Sequence, residues 1–472
     1  MARINTDVCV IGAGAGGLSV AAGAAQMGAR VVLVEGGRMG GDCLNYGCVP
    51  SKALLAAAKH AQAMREGARF GITPVEPEVD YAAAMEHVAR TIAAIAPHDS
   101  QERFEGLGVK VIREWGRFLS PRELQAGPHV IRARRFVIAT GSSPLIPPIP
   151  GLDGVPYLTN ETLFDLRERP RHLIVIGGGP IGLEMAQAHR RLGAAVTVIE
   201  GMKALGREDP ECGAIVLDRL RREGVEIAEH IPAEAVRLTE DGGVEVIGAD
   251  GRRFAGSHLL VAVGRKANIE GLDLERAGVA HDGVIRVDRG LRTTNRRIYA
   301  IGDVAGGPMF THVAGYHASV VIRSMLFALP SRARQEHLPW AIYTDPELAQ
   351  VGLAEAQARA RHGDRIEVVR VSYAQNDRAM AEGRTEGLIK VVVHRGRPVG
   401  VSIAGAQAGE LASLWALAIA ARLRMSHVAG MVAPYPTTME LGKRAAGAYF
   451  SPRLFDSSVV RRAVRLVQRL IP

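Results

Sequence analysis

The sequence has few cysteines, few aromatic residues and no long hydrophobic run. Its 472 residues include only four cysteines, too few for a disulfide-stabilised scaffold of this length. The longest apolar stretch, 411–423, falls short of the roughly 20 residues that a membrane-spanning helix needs. No apolar segment typical of a secretory signal follows Met1. We therefore expect a cytoplasmic protein, in which a close cysteine pair is catalytic or metal-binding rather than structural.

Basic residues are in excess, with a formal net charge of +9. They are dispersed along the chain except in residues 456–472, and no aromatic and basic patch suited to reading nucleic-acid bases is visible. We therefore expect no nucleic-acid partner. Hydrophobic residues make up 47% of the chain, as in a globular protein with a core, and the length predicts about three domains.

Two of the cysteines, Cys43 and Cys48, lie in the stretch 40–52, Gly-Gly-Asp-Cys-Leu-Asn-Tyr-Gly-Cys-Val-Pro-Ser-Lys. The thiolate is the reactive form of cysteine, and a helix start with a nearby lysine such as Lys52 favours that form. A structural zinc site would need further Cys or His ligands, and no second closely spaced cysteine pair exists. The pattern favours a redox-active pair, while Cys9 is interpreted as a core residue.

Two stretches share the pattern of strand, glycine-rich turn, helix, strand and acidic residue. Such a unit binds a dinucleotide, because the glycines allow close approach of a diphosphate and the helix N-terminus supplies N–H donors. The acidic residue accepts hydrogen bonds from a ribose. The positions are Gly12, Gly14, Gly17 and Glu35 in the first unit, and Gly177, Gly179, Gly182 and Glu200, 165 residues later, in the second. Two such sites beside a cysteine pair indicate a hydride donor, a flavin and a dithiol in series.

The remaining chain supplies strand ends, a third region and a tail. Buried strands are predicted to end at Gly141, Gly264 and Asp303, and helices are predicted over 53–66 and 81–95. The region from Trp340 begins with strand-like segments and continues with a helix over 411–423. Residues 456–471 form an amphipathic helix in which apolar and arginine side chains occupy different faces.

With these motifs the chain resembles the pyridine nucleotide–disulfide oxidoreductase family, which includes lipoamide dehydrogenase, glutathione reductase and mercuric reductase. The resemblance covers essentially the full length. It implies an α/β fold with two Rossmann-like dinucleotide-binding domains, in the glutathione reductase architecture, and a C-terminal α+β dimerisation domain. The implied FAD-binding domain comprises 1–149 and 269–337, the inserted NAD(P)H-binding domain 150–268, the dimerisation domain 338–455, and a basic C-terminal helix 456–472.

The resemblance also implies roles for individual residues. Cys48 resembles the thiol that receives electrons from the flavin, and Cys43 the thiol that attacks the substrate. Lys52 resembles the lysine beside the flavin, with Glu184 as its ion-pair partner. The implied FAD-contacting positions are Gly12, Gly14, Gly17, Glu35, Gly41, Lys52, Gly116, Thr140, Gly141 and Asp303. The implied nicotinamide-cofactor positions are Gly177, Gly179, Gly182, Glu200 and Gly264.

The C-terminal signature departs from that of the disulfide-reducing relatives, His-x-His-Pro-Thr-x-x-Glu. Here Tyr435 replaces the second histidine, the acid/base that the partner subunit supplies, while its orienting glutamate, Glu440, is kept. A tyrosine, with a pKa near 10, is a poor base at neutral pH. Tyr435 resembles the metal-binding tyrosine of mercuric reductase, but the vicinal C-terminal cysteine pair of that enzyme does not occur in this sequence.

Two further positions raise hypotheses. His98 is a hypothetical substitute for the missing acid/base, and the alternative is an exposed histidine at a helix start, with Asp99 or Ser100 as the N-cap. Asp42 replaces the threonine whose hydroxyl donates to an FAD phosphate in the family. Because a carboxylate repels a phosphate, we expect Asp42 to turn away from it or to bind it through water.

We predict a homodimeric FAD enzyme, with an active site shared between subunits, that passes electrons from NADH to the Cys43–Cys48 disulfide and then to a disulfide or another oxidant. Glu200 favours NADH because it accepts from a 2′-hydroxyl and repels a 2′-phosphate, while Lys203 and Arg207 leave NADPH open. No metal cofactor is predicted. The alternatives are a lipoamide dehydrogenase, a mercuric or other metal-ion reductase, and a redox-sensing flavoprotein held at the inner face of the membrane by its C-terminal helix.

Overall fold

The computed structural model describes residues 2–471. The strands are β1 (Ala2–Ile11), β2 (Val31–Val34), β3 (Val109–Ile112), β4 (Gly116–Ser120), β5 (Glu123–Ala126), β6 (His129–Ile138), β7 (Ser142–Pro144), β8 (His172–Ile176), β9 (Ala195–Ile199), β10 (Glu226–Ala228), β11 (Ala233–Leu238), β12 (Val244–Gly248), β13 (Arg253–Gly256), β14 (His258–Val261), β15 (Arg265–Ala267), β16 (His281–Asp282), β17 (Val284–Ile285), β18 (Ile298–Ala300), β19 (Pro339–Ile342), β20 (Glu347–Gly352), β21 (Ile366–Ser372), β22 (Leu388–His394) and β23 (Arg397–Gly405).

The α-helices are α1 (Ala15–Gln26), α2 (Gly41–Asn45), α3 (Cys48–Arg65), α4 (Tyr81–Ile95), α5 (Gln101–Gly106), α6 (Pro180–Arg191), α7 (Pro210–Arg222), α8 (Thr311–Phe327), α9 (Glu355–His362), α10 (Asp377–Ala381), α11 (Ala408–Ala420), α12 (Met425–Ala429), α13 (Glu440–Phe455) and α14 (Ser458–Leu470). Among these described residues, no helix is both long and apolar enough to cross a membrane.

The chain divides into two compact units, and the first contains residues up to Arg65, Glu76–Gly201 and Ile227–Arg334. Its largest sheet has seven strands in the order β3-β2-β1-β6-β5-β4, with β18 also paired to β6. The central strands β1, β2, β6 and β18 run parallel. Helices α1 and α8 pack against each other, and their apolar residues join one face of these strands in a common core. Strand β2 is therefore buried along its whole length and reads as continuously apolar.

A second parallel sheet in the same unit has the order β10-β9-β8-β14. Helix α6 follows β8 and leads to β9, which repeats the β1-α1-β2 arrangement. A three-stranded antiparallel sheet, β11-β12-β13, packs beside it and shares its core through Val236, Val246 and Phe254. The strands β7 and β15 pair antiparallel where the chain enters and leaves this part. The two βαβ units predicted from the glycine pattern are therefore confirmed.

The second unit contains Glu66–Val75, Met202–Glu226 and the chain from Gln335 onward. Its antiparallel sheet has five strands in the order β19-β20-β23-β22-β21. Helices α11 and α13 cover one face of the sheet, and the fully buried Trp415 and Tyr373 lie in the resulting core. The strand-like segments and the helix predicted for this region are confirmed, whereas β20 was not predicted.

The cysteine helix differs from its predicted start. The sequence predicts a helix from residue 53, but α3 begins at Cys48 and includes Pro50. Proline is tolerated in the first turn of a helix, because the N–H groups there have no partner within the helix. Cys48 therefore lies at the first position of an 18-residue helix, where the helix dipole favours a thiolate.

Candidate active site

The first glycine turn connects β1 to α1. Gly12 has a φ of +103°, and a Cβ there would lie 2.4 Å from the Ala139 carbonyl oxygen. A Cβ on Gly17 would lie 1.9 Å from the Gly12 carbonyl oxygen, so both positions require glycine. The Glu35 carboxylate, at the end of β2, accepts hydrogen bonds from the backbone N–H groups of Ala13 (2.5 Å) and Gly37 (2.6 Å). The structure thus brings the loop and the acidic residue together.

The second glycine turn has the same construction. Gly177 has a φ of +116°, and a Cβ on Gly182 would lie 2.0 Å from the Gly177 carbonyl oxygen. The Glu200 carboxylate, which follows β9, accepts a hydrogen bond from the Gly178 N–H at 2.7 Å. Gly179 is the N-cap of α6, so the free N–H groups of that helix face the turn. In both glycine turns, therefore, a backbone N–H of the turn donates a hydrogen bond to the acidic residue that follows the second strand.

The cysteine pair lies on consecutive short elements, Cys43 in α2 and Cys48 at the start of α3. Both are free thiols. The Cys43 thiol donates a hydrogen bond to Cys48, and the Thr311 hydroxyl donates to the same sulfur at 3.3 Å. These hydrogen bonds, with the charge of Lys52, lower the pKa of Cys48 to about 6. Cys48 is therefore the thiolate of the pair at neutral pH, and Cys43 holds the proton because donation to Cys48 raises its pKa.

The other two cysteines lie outside this site. Cys9 and Cys212 are completely buried, in β1 and α7 respectively, and burial raises the pKa of both thiols. Since the thiol form is a weak nucleophile, we expect neither to react.

Lys52 and Glu184 form an ion pair with 2.7 Å between Nζ and Oε2. Lys52 is on α3, one turn after Cys48, and Glu184 is on α6 of the second βαβ unit. The Glu184 side chain is only 6% exposed and that of Lys52 is 36% exposed. The pair therefore connects the cysteine helix to the helix that follows the second glycine turn, and it keeps an ammonium group near Cys48.

Asp42 turns towards a group of residues that the sequence did not indicate. Its Oδ1 lies 2.9 Å from the Arg265 guanidinium and accepts a hydrogen bond from the Asn160 amide at 3.1 Å. Arg265 also donates to the Ser142 hydroxyl and carbonyl, both at 2.7 Å, and the Ser142 hydroxyl donates to Asp303 at 2.5 Å. Burial is the main cause that raises the pKa of Asp303. The carboxylate before Cys43 is thus paired with a cation.

Three of the predicted strand-end residues, Thr140, Gly141 and Gly264, lie beside the paired strands β7 and β15, which contain Ser142 and Arg265. The Thr140 hydroxyl donates to the Asn268 carbonyl at 2.7 Å, and the Asn268 amide donates back to the Thr140 carbonyl at 3.0 Å. Gly141 and Gly264 flank the paired strands β7 and β15, and Gly116 begins β4 on the large sheet. Arg265, Ser142, Asn160 and Thr311 were missed by sequence reasoning. No local motif identifies them, because their partners lie more than 100 positions away in the chain.

His98 is exposed on a single 3-10 turn, Ala96–Asp99. Ser100 is the N-cap of α5, with its hydroxyl accepting from the Arg103 N–H at 3.3 Å, as the alternative interpretation predicts. The His98 carbonyl accepts a hydrogen bond from the Arg103 guanidinium. These contacts favour a structural position for this segment, and the acid/base hypothesis for His98 remains untested.

Tyr435 and Glu440 belong to the second unit. The Tyr435 hydroxyl donates to the Asp377 carboxylate at 3.0 Å, and this hydrogen bond is the first cause that raises the pKa of Tyr435. The Tyr435 side chain is 71% exposed. Glu440 begins α13 and accepts a hydrogen bond from the Thr437 N–H at 3.4 Å. Tyr435 is therefore held in its protonated form by an acidic neighbour.

Comparison with known proteins finds matches over most of the chain. Residues 6–318 match the pyridine nucleotide-disulphide oxidoreductase family, and residues 338–446 match its dimerisation domain. The chain belongs to this family. It is 35% identical to mercuric reductase of Streptomyces lividans over 465 residues, covering 95% of this chain and 97% of that protein. It is 32% identical to dihydrolipoyl dehydrogenase of Geobacillus stearothermophilus, covering 94% and 96% of the two chains.

A solved structure with the same fold is the Cu(II) complex of the HOCl-induced flavoprotein disulfide reductase RclA from Escherichia coli. The TM-score is 0.84 at 28% identity, covering 93% of this chain and 99% of that one. This oxidoreductase therefore has the α/β dinucleotide-binding region and C-terminal dimerisation domain of the family, as predicted. Like its relatives it is an enzyme that uses FAD and NAD(P)H, and the dimerisation domain supports a homodimer.

The residues of the first glycine turn fit FAD. A Cβ on Gly41 would lie 2.7 Å from the Gly14 Cα, so the start of α2 and the glycine turn approach without side chains between them. This leaves backbone N–H groups of two helix starts close together, as binding of a diphosphate requires. The groups that would hold FAD are this turn, Glu35 and Asp303. FAD held there would supply two-electron redox chemistry between a nicotinamide and the cysteine pair.

Proposed function

We propose that this flavoenzyme is an NADH-dependent reductase in which the Cys43–Cys48 dithiol passes electrons to a metal ion. The observation that carries the proposal is Tyr435, hydrogen-bonded to Asp377 at 3.0 Å, at the place of the acid/base histidine of disulfide-reducing relatives. Reduction of a disulfide releases a thiolate that must be protonated, and a tyrosine with a raised pKa is a poor proton donor and a poor base at neutral pH. A metal ion accepts electrons without that proton.

The mercuric reductase relatives and the Cu(II) complex of RclA support the same acceptor class, whereas the description of RclA as a disulfide reductase supports the competing one. Mercuric reductases of Streptomyces lividans and Shigella flexneri are 35% and 36% identical to this chain, and the RclA structure is a Cu(II) complex. The electrons balance both for an ion that takes up two electrons, such as Hg²⁺, and for Cu²⁺, which takes up one. One NADH gives two electrons, which reduce one divalent ion to the metal or two Cu²⁺ ions to Cu⁺. The dithiol returns to the disulfide, and NAD⁺ and one proton are released. A disulfide acceptor is the competing proposal.

We propose that each cysteine has a separate task. Cys48, with its pKa lowered to about 6, faces the flavin as a thiolate, and Cys43 meets the acceptor. Lys52, held by Glu184, keeps a positive charge beside the electron-transfer site. The assignments of the remaining FAD and nicotinamide positions, given above from the resemblance, are part of the same proposal. Glu200, directed at the second glycine turn by its bond to Gly178, supports NADH rather than NADPH.

We also propose the domain limits expected from the sequence. The FAD-binding domain would comprise 1–149 and 269–337, with 150–268 inserted between its two parts. The pairing of β18 with β6 supports this division, because it returns the chain to the first sheet after the second βαβ unit. Residues 338–455 would form the dimerisation domain, which agrees with the family match over 338–446.

We propose a homodimer in which Tyr435 of the partner subunit completes each active site. A mixed dimer tests this, with one wild-type subunit and one subunit that carries both Cys48→Ser and Tyr435→Ala. If the site is shared, neither site of this dimer is intact. If each subunit holds its own residues, one complete site remains. The homodimer of Tyr435→Ala alone is the control, and turnover of the mixed dimer at half the wild-type value, with that control inactive, would refute sharing.

We further propose that the enzyme is cytoplasmic, because reducing conditions keep a redox-active cysteine pair turning over. In that compartment the available membrane surface is the inner face, and a peripheral contact there would be made by the C-terminal helix.

An anaerobic NADH titration followed by an acceptor panel tests the proposed function. We expect a long-wavelength absorbance band that arises from the Cys48 thiolate beside the flavin, and we expect Cys48→Ser to lack it. The panel contains Cu²⁺, Hg²⁺, lipoamide and glutathione disulfide at equal concentrations. Faster turnover with the metal ions, lost in Cys43→Ser, is the expected result. Faster turnover with either disulfide would refute the metal-ion assignment, and no band in the wild type would refute the electron path.

A further inference from the structure

Helix α14, here called the tail helix, spans Ser458–Leu470 and buries no residue. It has a regular N-terminus, because the Ser457 hydroxyl accepts a hydrogen bond from the Val460 N–H at 3.3 Å. All its side chains are exposed except that of Val460, which is half-buried. A helix this short is marginal in water on its own, so an additional contact that stabilises it is expected.

Apolar and basic residues of the tail helix occupy opposite faces. Successive residues advance by about 100° around a helix with 3.6 residues per turn. On that wheel all the apolar residues fall within one continuous arc, and the arginines fall in a narrower arc centred opposite. The apolar residues are Val459, Val460, Ala463, Val464, Leu466, Val467 and Leu470, and the arginines are Arg461, Arg462, Arg465 and Arg469. The separation of the two classes is complete.

The exposed apolar surface extends beyond the helix at both ends. Phe455, at the end of α13, is 71% exposed, and Leu470 and Ile471 are 71% and 64% exposed. Exposed apolar residues of this size, grouped on one face of the tail helix, mark an interaction surface rather than an ordinary solvent-facing helix. We therefore expect a binding partner that covers this apolar surface.

The charges on the tail helix indicate which kind of partner binds it. Residues 457–471 contain four arginines and no acidic residue. Two copies of this helix packed face to face would bring arginines of the same charge together on their flanks, where self-associating helices place pairs of opposite charge. A water–lipid interface with anionic headgroups satisfies both faces at once, because the apolar arc enters the acyl boundary and the arginines bind phosphate.

We propose that the tail helix lies in the plane of an anionic phospholipid surface and docks the enzyme on it. The apolar arc, with Phe455, would enter the boundary of the acyl chains, and the four arginines would remain at the headgroups. The helix does not cross the membrane, since 13 residues are too few. This inference rests on the proposed peripheral location and is independent of the acceptor, because none of these residues belongs to the active site.

Vesicle sedimentation with the full-length, FAD-loaded enzyme tests the proposal. The probes are phosphatidylcholine vesicles with and without phosphatidylglycerol. One variant replaces Arg461, Arg462, Arg465 and Arg469 with Gln, and a second carries Leu466→Asp and Leu470→Asp. A matched control replaces four exposed arginines elsewhere with Gln, at Arg122, Arg132, Arg296 and Arg361, which changes the net charge equally. Activity with a soluble acceptor and the sedimentation coefficient of each variant are measured in parallel.

We expect salt-sensitive binding to the phosphatidylglycerol vesicles that falls at least about a hundredfold in both tail variants and little in the control. Activity in solution should be unchanged in all of them, so loss of binding is separable from failure of the proposed function. Three results would overturn the proposal. They are no binding by the wild type, equal loss in the control, or a wild-type assembly larger than a dimer that the Leu466→Asp, Leu470→Asp variant dissolves.

Discussion

Asp42, directly before Cys43, is held by side chains from distant parts of the sequence. Its carboxylate would repel a diphosphate, yet Arg265 and Asn160 hold it, and Arg265 extends the contact through Ser142 to Asp303. The Asn160 amide also donates to the Tyr46 carbonyl at 3.2 Å, so it bridges both ends of the segment that contains Cys43. The expectation that Asp42 turns away from an FAD phosphate, or binds it through water, stays a prediction, and the sequence did not indicate its partners Arg265 and Asn160.

We predict that Arg265→Gln lowers the free energy of unfolding of the first unit by about 2 kcal/mol, because hydrogen bonds to a charged group in a half-buried site are lost. The variant leaves Asp42 without its cation, so adding Asp42→Asn should recover part of the loss. Chemical denaturation followed by release of flavin fluorescence measures both. The control is Lys266→Gln, on the same strand, whose side chain is 56% exposed and pairs with Glu270 at the surface. Equal losses in the presence and absence of Asp42 would show that the two residues are not coupled.

The hydrogen bond from Cys43 is the first cause that lowers the pKa of Cys48, and the hydrogen bond from the Thr311 hydroxyl lowers it further. The pKa of Cys48 is lowered to about 6 from an ordinary value of 9.0, so the thiolate is present above about pH 6 and is lost as the pH falls through that value. We predict that Thr311→Val, which keeps the side-chain shape but removes the donor, moves the midpoint upward. The midpoint is read from the rate of iodoacetamide alkylation of the reduced enzyme against pH. Thr140→Val, whose hydroxyl donates to Asn268 instead, is the control, and an unchanged midpoint in Thr311→Val would contradict the prediction.

At the scale of elements, the sequence predicted those whose pattern is local. The βαβ units are recognisable because glycine, a buried strand and an acidic residue recur at fixed spacing, and α4 begins and ends at the predicted residues. Strand β20 was missed because Glu347 and Gln350 interrupt its apolar pattern, and the buried Gln350 accepts a hydrogen bond from the Ser402 hydroxyl on β23. Such pairing is formed by tertiary contacts, which a single sequence does not display.

An ion cluster connects four elements of the second unit, which are β21, β22, α7 and α9. Lys390 on β22 is 3% exposed and lies 2.8 Å from Asp209, 2.7 Å from Glu211 and 2.8 Å from Glu355. Arg370 on β21 binds Glu211 and Glu355 at 2.7 Å each. The cluster connects the sheet to α9 and to the start of α7. A buried ammonium group is tolerated here because three carboxylates surround it.

We predict that Lys390→Met lowers the free energy of unfolding of this unit by about 3–5 kcal/mol, because it leaves carboxylates buried without their cation. Chemical denaturation followed by the fluorescence of Trp415, which is fully buried in this unit, measures the loss. Lys266→Met at an exposed pair is the control.

Hydrogen bonds to Arg370 and Lys390 lower the pKa of Glu211 to about 2, and hydrogen bonds to Lys390 and Arg359 lower the pKa of Glu355 to about 2. The stability that these carboxylates provide is present above about pH 4.5 and lost as the pH falls towards 2. Lys390→Met should show less of this acid sensitivity.

At the scale of the whole molecule, the electron path was largely predictable and the acceptor was not. The order of nicotinamide, flavin and dithiol follows from two dinucleotide-binding turns and one cysteine pair, each a local motif. In our proposal the acceptor depends on Tyr435 and on the residues that surround it. The hydrogen bond of Tyr435 to Asp377, 58 positions away, is set by tertiary folding, which a single sequence does not display.

Tyr435→His is the substitution that separates the two acceptor classes. An imidazole, with a pKa near 6.5, can donate a proton to a leaving thiolate at neutral pH, and Glu440 remains in the sequence position that orients it. We predict that turnover with lipoamide rises at least about tenfold, which is less than the roughly hundredfold that general acid catalysis typically provides, while turnover with Cu²⁺ changes little. Steady-state rates with each acceptor at saturating NADH measure both effects. Tyr435→Phe is the matched control, because it removes the hydroxyl without supplying a titratable group and should leave lipoamide turnover low.

If Tyr435→His loses metal-ion turnover and Tyr435→Phe keeps it, the histidine has disturbed the site rather than added a proton donor. If lipoamide turnover is already high in the wild type and does not change, the proton comes from another group, and His98→Ala is then the variant that should abolish it.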